Sequence, residues 1–153
     1  MRRRLSQLSI SCDFVLDCSM TIAWFFRDES TAYTDSVLRG LGRGKALVPA
    51  LWSFEVAKTL LIGWKRQRCS WKEMQKWIKL IGQLSIACAP MESQRMMSDW
   101  LSLAMKHQVT VYDASYLMLA WETGLPIASL DDKVNDVAIK LGIERYDPDS
   151  ILT

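Results

Sequence analysis

The apolar residues of this chain come in short runs: Phe14–Asp17, Ala46–Val48, Leu84–Ala89 and Ile127–Leu130. Longer stretches between them carry apolar residues every three or four positions. A run this short is a strand rather than a helix, and one without steady polar alternation is buried on both faces. Strands of that kind separated by helices specify a parallel central sheet sandwiched by helices, a three-layer α/β/α fold.

Local signals place the helices. Ser19 is positioned to cap one carrying Ile22, Ala23, Trp24 and Phe26. Asp28-Glu29-Ser30 predicts the start of a second, with Val37, Leu38 and Leu41 as its stripe and Gly40–Gly44 as its stop. Residues 51–67 make a third, with Val56, Leu60 and Trp64 on one face. Ser70-Trp71-Lys72-Glu73 is an S-x-x-E capping box opening a fourth, with Met74, Trp77, Ile78 and Ile81. Ser93–His107 follows, its apolar face Met97, Trp100, Leu101 and Ala104. Thr110 caps residues 111–123, which stop at Gly124. Val134, Val137, Ala138 and Leu141 mark the last helix, ended by Gly142, and Ile143–Tyr146 adds an edge strand.

Composition narrows the rest. A chain of 153 residues, half of them hydrophobic, is one domain with a full core. Residues 1–12 read as a loose basic lead-in and 13–153 as the domain. The lead-in, Met1-Arg2-Arg3-Arg4 and then Leu5–Ser9, is too short and polar for a signal-peptide core, and no apolar run approaches a membrane span. The formal charge of +2 is too mild to specify a nucleic-acid partner by itself. Cys12, Cys18, Cys69 and Cys88 show no metal-ligand spacing and read as free thiols in a reducing cytoplasm. His107, the single histidine, follows Lys106 near a helix end and suits that C-terminus.

Four acids stand where strands end or helices begin, each among apolar neighbours: Asp17, Glu55, Asp113 and Asp131. In a parallel sheet, strand C-termini and helix N-termini gather along one edge, so residues remote in sequence meet in one cleft. Carboxylates beside buried surface are costly unless something positive pairs with them. Four without matching basic neighbours suggest a divalent cation held by oxygen ligands. The plainer alternative is that Asp17 and Asp131 only end strands and Asp113 only favours a helix N-terminus.

At these residues the chain resembles a PIN domain, most closely the VapC-like toxin ribonucleases of type II toxin–antitoxin pairs. The resemblance runs from about Phe14 to Tyr146. Phe14-Val15-Leu16-Asp17-Cys18-Ser19 is similar to the family's first strand and D-x-S signature, and Val48–Ala57 to its second acidic motif. Tyr112–Ala120 is the most specific piece. Leu125–Asp131 is similar to the fourth motif, with Ser129 where Thr is usual. Lys58 stands where many relatives carry Asn, and Asp132 adds an acid beside Asp131. Asp131 is preferred, because its place after Ser129-Leu130 and before Val134 fits the pattern.

The resemblance implies a Mg²⁺-dependent RNA endonuclease, with Mn²⁺ as an alternative ion, that leaves a 5′-phosphate and a 3′-hydroxyl. It implies Asp17, Asp113 and Asp131 as metal ligands and Glu55 binding through water or orienting the attacking water. Ser19 and Ser129 would hold carboxylates by hydrogen bonds, or serve only as cap and turn residues. It also implies a homodimer and an antitoxin that blocks the cleft. Two other classes remain open: a non-catalytic RNA- or partner-binding module of the same fold, and a haloacid-dehalogenase-type phosphatase with Asp17 as nucleophile. The latter normally needs a second Asp two residues on, where Ser19 stands.

The stretch Trp64–Lys72 mixes cations with aromatic rings. Lys65, Arg66 and Arg68 there, and Lys58 close behind Glu55, are candidate RNA contacts. The alternative, favoured on base frequencies, puts Trp64 and Trp71 in a core or protein interface with Lys and Arg in solvent. Met96, Met97 and Met118, with the tryptophans, suggest apolar surface for a partner.

Overall fold

The computed structural model describes residues 11–90 and 93–150. The basic lead-in lies outside them except for its last two positions. Four parallel strands form the sheet: β1 (Phe14–Leu16), β2 (Ala46–Val48), β3 (Ile86–Cys88) and β4 (Ile127–Ala128), in the order β3-β2-β1-β4. Register is fixed by Phe14 beside Ala46, Ala46 beside Ile86, and Val15 beside Ile127. Every residue of β1, β2 and β4 is buried. The expectation of a parallel sheet covered on both faces therefore holds. β3 is the exception, with Cys88 exposed: it is an edge strand, whereas β4 at the other edge is covered by the bridge from Ile127 to Arg145.

The helices are α1 (Cys18–Ala23), α2 (Ala32–Leu41), α3 (Trp52–Lys65), α4 (Trp71–Ile81), α5 (Ser93–His107), α6 (Val111–Thr123) and α7 (Asp132–Lys140). The chain winds outward from β1 through β2 to β3, then crosses back to place β4 on the other side of β1. That reversal puts a switch point at the carboxyl ends of β1 and β4, the place where open α/β sheets form ligand sites.

Two capping boxes follow the sequence signals. Ser70 and Glu73 close theirs with Glu73 N–H donating to Ser70 Oγ (3.2 Å) and Ser70 N–H to Glu73 Oε2 (2.7 Å). Thr110 caps α6 in the same way, and Gly124 ends α6 with φ at 70°, in the left-handed region where glycine carries no Cβ penalty.

Several expectations are corrected. Ser19 does not cap α1: it lies inside the helix, Asp17 is the N-cap residue, and no side chain caps the end. α1 stops at Ala23, so Trp24 and Phe26 lie beyond it. Asp28 and Glu29 form a single 3₁₀ turn, Arg27–Glu29, and α2 starts later, with Thr31 as N-cap and Thr34 returning the bond. α3 ends at Lys65 rather than residue 67. The strands expected over Leu84–Ala89 and Ile127–Leu130 shorten to β3 and β4. Ile143–Tyr146 contributes one bridge, Ile127 to Arg145, instead of a strand. Trp64 and Trp71 are both exposed, so neither belongs to the core.

Two contacts position α3. Trp52 Nε1 donates to Thr21 Oγ1 (3.2 Å) in the buried layer between α3 and α1. Gly63 lets the far end of α3 approach Phe26, since a Cβ there would fall 2.7 Å from the ring's Cζ. Anchored at both ends, α3 holds its first turn, and with it Glu55, beside the end of β1.

Candidate functional site

Asp17 follows β1 and is only 6 % exposed. Its backbone N–H donates to Ala128 O (3.0 Å), the last residue of β4, which ties it to the switch point. One carboxylate oxygen, Oδ2, accepts two hydroxyls, from Ser19 (2.7 Å) and from Ser129 (2.6 Å). The hydroxyls in turn accept from the loop after β4: Leu130 N–H to Ser19 Oγ (3.0 Å) and Asp131 N–H to Ser129 Oγ (3.1 Å). Residues 110 positions apart are thus joined into one network. Both serines bond a carboxylate, and neither is a helix cap.

Burial pushes the Asp17 carboxyl above its ordinary range; the two hydroxyls pull it back and the charge of Asp113 pushes it up again. Glu55, in the first turn of α3, is half-buried. Burial raises it as well, the hydroxyl of Tyr116 opposes that rise, Asp17 and Asp113 add to it, and Lys58 opposes it weakly. Tyr116 Oη donates to Glu55 Oε1 at 2.7 Å, and Tyr116 is buried. The tyrosine's own ionisation is driven far up, first by burial and then by Glu55. Cys18, beside the same acids, is pushed up to about 12 by burial, then Glu55 and Asp17, which leaves its thiol protonated and inert.

Asp113 sits at the third position of α6 and completes its cap: its N–H donates to Thr110 Oγ1 (3.0 Å) and its Oδ2 accepts from Thr110 N–H (3.2 Å). Asp17, Glu55 and Asp113 are therefore within electrostatic reach of one another, and among the described residues none of the three forms an ion pair. Asp131 joins the Asp17 network through its backbone N–H. It is exposed, it caps α7, and its Oδ1 accepts from Lys133 N–H (2.9 Å) and Val134 N–H (3.2 Å), which leaves any further role to Oδ2. Asp132 is exposed in the first turn of the same helix.

Among the described residues no three His, Cys, Asp or Glu side chains are gathered at cation-binding distances. The donor chemistry still suits Mg²⁺. That ion takes hard oxygen ligands, keeps several waters, and is commonly held by one or two carboxylates rather than an all-protein cage. A carboxylate trio that forms no ion pair among the described residues, one member buried and fixed by two hydroxyls, is a setting in which such a cation relieves repulsion.

The basic residues divide. Lys58 lies near Glu55, with Nζ 5.7 Å from the centre of the Tyr112 ring. Lys65 and Arg66 are exposed at the end of α3. Arg68 is engaged elsewhere: its guanidinium bonds Asp28 (2.9 Å) and Glu29 (2.8 Å) and lies 4.0 Å over the Phe26 ring. Arg68 is exposed, but its guanidinium is shared with these two acids. Tyr116 was visible in the sequence only as part of a motif. Its signal was physical: a buried tyrosine needs a partner for its hydroxyl, and Tyr116 lies one turn beyond Asp113 on α6.

No family model matches the chain, and no curated protein matches it. Among solved structures it is similar to the crystal structure of PAE2754 from Pyrobaculum aerophilum, with a TM-score of 0.60, 18 % identity, and coverage of 88 % of this chain and 98 % of that one. At that identity the likeness establishes a shared α/β fold along nearly the whole of both chains.

Proposed function

We propose that this chain is a divalent-metal-dependent RNA endonuclease of the PIN type. The observation that carries the reading is the trio Asp17, Glu55 and Asp113: three carboxylates without an ion pair among the described residues, with Asp17 and Glu55 both pushed up by burial and by neighbouring acids, where β1 ends and α3 and α6 begin. Mg²⁺ or Mn²⁺ would be held by Asp17 and Asp113, with Asp131 contributing through Oδ2, and would supply Lewis acidity and a more acidic bound water. The rest falls to the chain's own groups. Ser19 and Ser129 fix one oxygen of Asp17 and so fix where its carboxylate points. Glu55, held through Oε1 by Tyr116, keeps Oε2 to orient or accept a proton from the attacking water. Burial at the sheet edge lowers the local dielectric and strengthens each of these interactions.

The resemblance extends the proposal to a toxin restrained by an antitoxin and acting as a homodimer in the cytoplasm. Met97, Leu101 and Met105, exposed at four-residue intervals along α5, support an apolar contact of that kind. Among the described residues no helix is long and apolar enough to cross a membrane. A second reading, a non-catalytic RNA- or partner-binding module, draws on Asp113 and Asp131 each serving a helix cap. Incubating the purified protein with cellular RNA separates the two. The nuclease reading expects cleavage with Mg²⁺ or Mn²⁺, none with chelator, and a fall of about 10²-fold or more in Asp113→Asn. Cleavage by that variant at the normal rate would remove Asp113 from the mechanism, and chelator-resistant cleavage would remove the metal.

A further inference from the structure

From Val56 to Lys72 the chain carries five cations, Lys58, Lys65, Arg66, Arg68 and Lys72, and no acid, in a protein whose whole formal charge is +2. With Arg68 bound to Asp28 and Glu29, the cations on the free face of α3 are Lys58 and Lys65. They alternate with apolar side chains on that face. Phe54, Lys58, Leu61 and Lys65 are spaced four, three and four residues apart, which puts them on one stripe of the helix about 16 Å long, and all four are exposed. Phe54 is 79 % exposed although large and aromatic. At its acidic end the stripe meets a second exposed ring, Tyr112, beneath Lys58 Nζ. Phe54 immediately precedes Glu55, and Tyr112 immediately precedes Asp113.

We infer that this stripe of α3, with Tyr112, is a track for single-stranded RNA leading to the acid trio, Lys58 and Lys65 taking phosphates and Phe54 and Tyr112 stacking bases. The inference rests on the proposed nuclease reading for what happens at the end of the track. Cations alternating with exposed rings are what an unpaired strand uses, because it offers phosphates and open base faces together. A duplex hides its bases and leaves the rings without a role. An apolar protein partner would leave Lys58 and Lys65 unmatched at the centre of the contact, where charged residues are depleted.

The test is fluorescence anisotropy with a fluorescein-labelled, unstructured 12-nucleotide RNA and the full-length protein in EDTA, over a range of salt. Lys58→Gln and Lys65→Gln are each expected to reduce the slope of log affinity against log salt by about 0.7. Phe54→Ala and Tyr112→Ala are expected to weaken binding about 5- to 100-fold and leave that slope as it is. Lys140→Gln, an exposed lysine on α7, is expected to leave both as in the parent protein. The track is overturned if the two α3 lysine variants keep the parent slope, if Lys140→Gln lowers it equally, or if a duplex of the same length binds as tightly. It is equally overturned if the stripe variants keep full RNA affinity while the protein changes oligomeric state, which would make the face a protein interface. Cleavage assays with Mg²⁺ on the same samples keep the two ideas apart. RNA binding through α3 without cleavage retains the track and removes the nuclease. Cleavage and binding that ignore the stripe variants remove the track alone.

Discussion

Removing the hydroxyl of Ser129 should destabilise the protein in a way that depends on the charge of Asp17. Ser129 is fully buried, donates to Asp17 Oδ2 at 2.6 Å and accepts Asp131 N–H at 3.1 Å. A hydrogen bond to a charged group contributes about 1.5–3 kcal/mol, and the orphaned amide adds about 1 kcal/mol, so Ser129→Ala should cost about 2.5–4 kcal/mol at neutral pH. The pH dependence follows from the acid's perturbation. Burial raises the folded-state pKa of Asp17 above its unfolded value, so ionising Asp17 works against the fold as pH rises through that folded pKa. The hydroxyls favour the ionised form and oppose this loss. Without Ser129 the folded pKa rises further, and the penalty of the substitution grows from acid toward neutral pH. Urea unfolding of both proteins at several pH values, with the m-value checked for constancy, measures this directly. A penalty below about 0.5 kcal/mol, or one equal at all pH values at which both proteins fold, would refute the claim that Ser129 holds an ionised Asp17. Ser19→Ala in the same background should not add fully, because both hydroxyls act on one oxygen.

Two further outcomes follow from single contacts. Tyr116→Phe removes the 2.7 Å bond that favours ionised Glu55, so Glu55's pKa should rise and the acidic limb of the pH–rate profile should move to higher pH; an unmoved limb would take Glu55 out of the rate-determining ionisation. Gly63→Ala should cost about 1–3 kcal/mol by thermal or chemical unfolding, because the new Cβ meets Phe26 at 2.7 Å on the side where α3 packs; a neutral substitution would mean Phe26 turns aside freely.

What could be read from the sequence was what depends on neighbours in the chain. Ser70 with Glu73, Thr110 with the turn that follows, and Gly124 are local devices, and each behaves as its residues dictate. Where two local signals competed, reading alone chose wrongly. Asp28-Glu29-Ser30 resembles a helix start, but the box that forms is Thr31 with Thr34, whose third position is not the usual Glu or Gln. Ser19 illustrates a different limit. Its place after a strand suggests a cap, yet a buried carboxylate two residues earlier is a stronger claim on its hydroxyl. The convergence of Asp17, Glu55 and Asp113 could be anticipated from the sheet's geometry. The bond between Tyr116 and Glu55, 61 positions apart, and that between Arg68 and Asp28, 40 apart, could not, because nothing local encodes them. Asp131's capping duty lies in its bonds to Lys133 N–H and Val134 N–H, two local contacts that the motif reading passed over.

Asp17 and Asp113 are proposed to share one cation beside Glu55, and thermal unfolding titrated with Mn²⁺ tests this most directly, without assuming a reaction. A ligand that binds only the folded chain stabilises it by about 2.7 kcal/mol at a hundred times its dissociation constant, or roughly 5–10 °C for a chain of this size. The parent protein should rise by that much as Mn²⁺ saturates, and Asp17→Asn and Asp113→Asn should each abolish the rise. A parent protein whose melting temperature ignores millimolar Mn²⁺, or variants that rise as far as the parent, would contradict it.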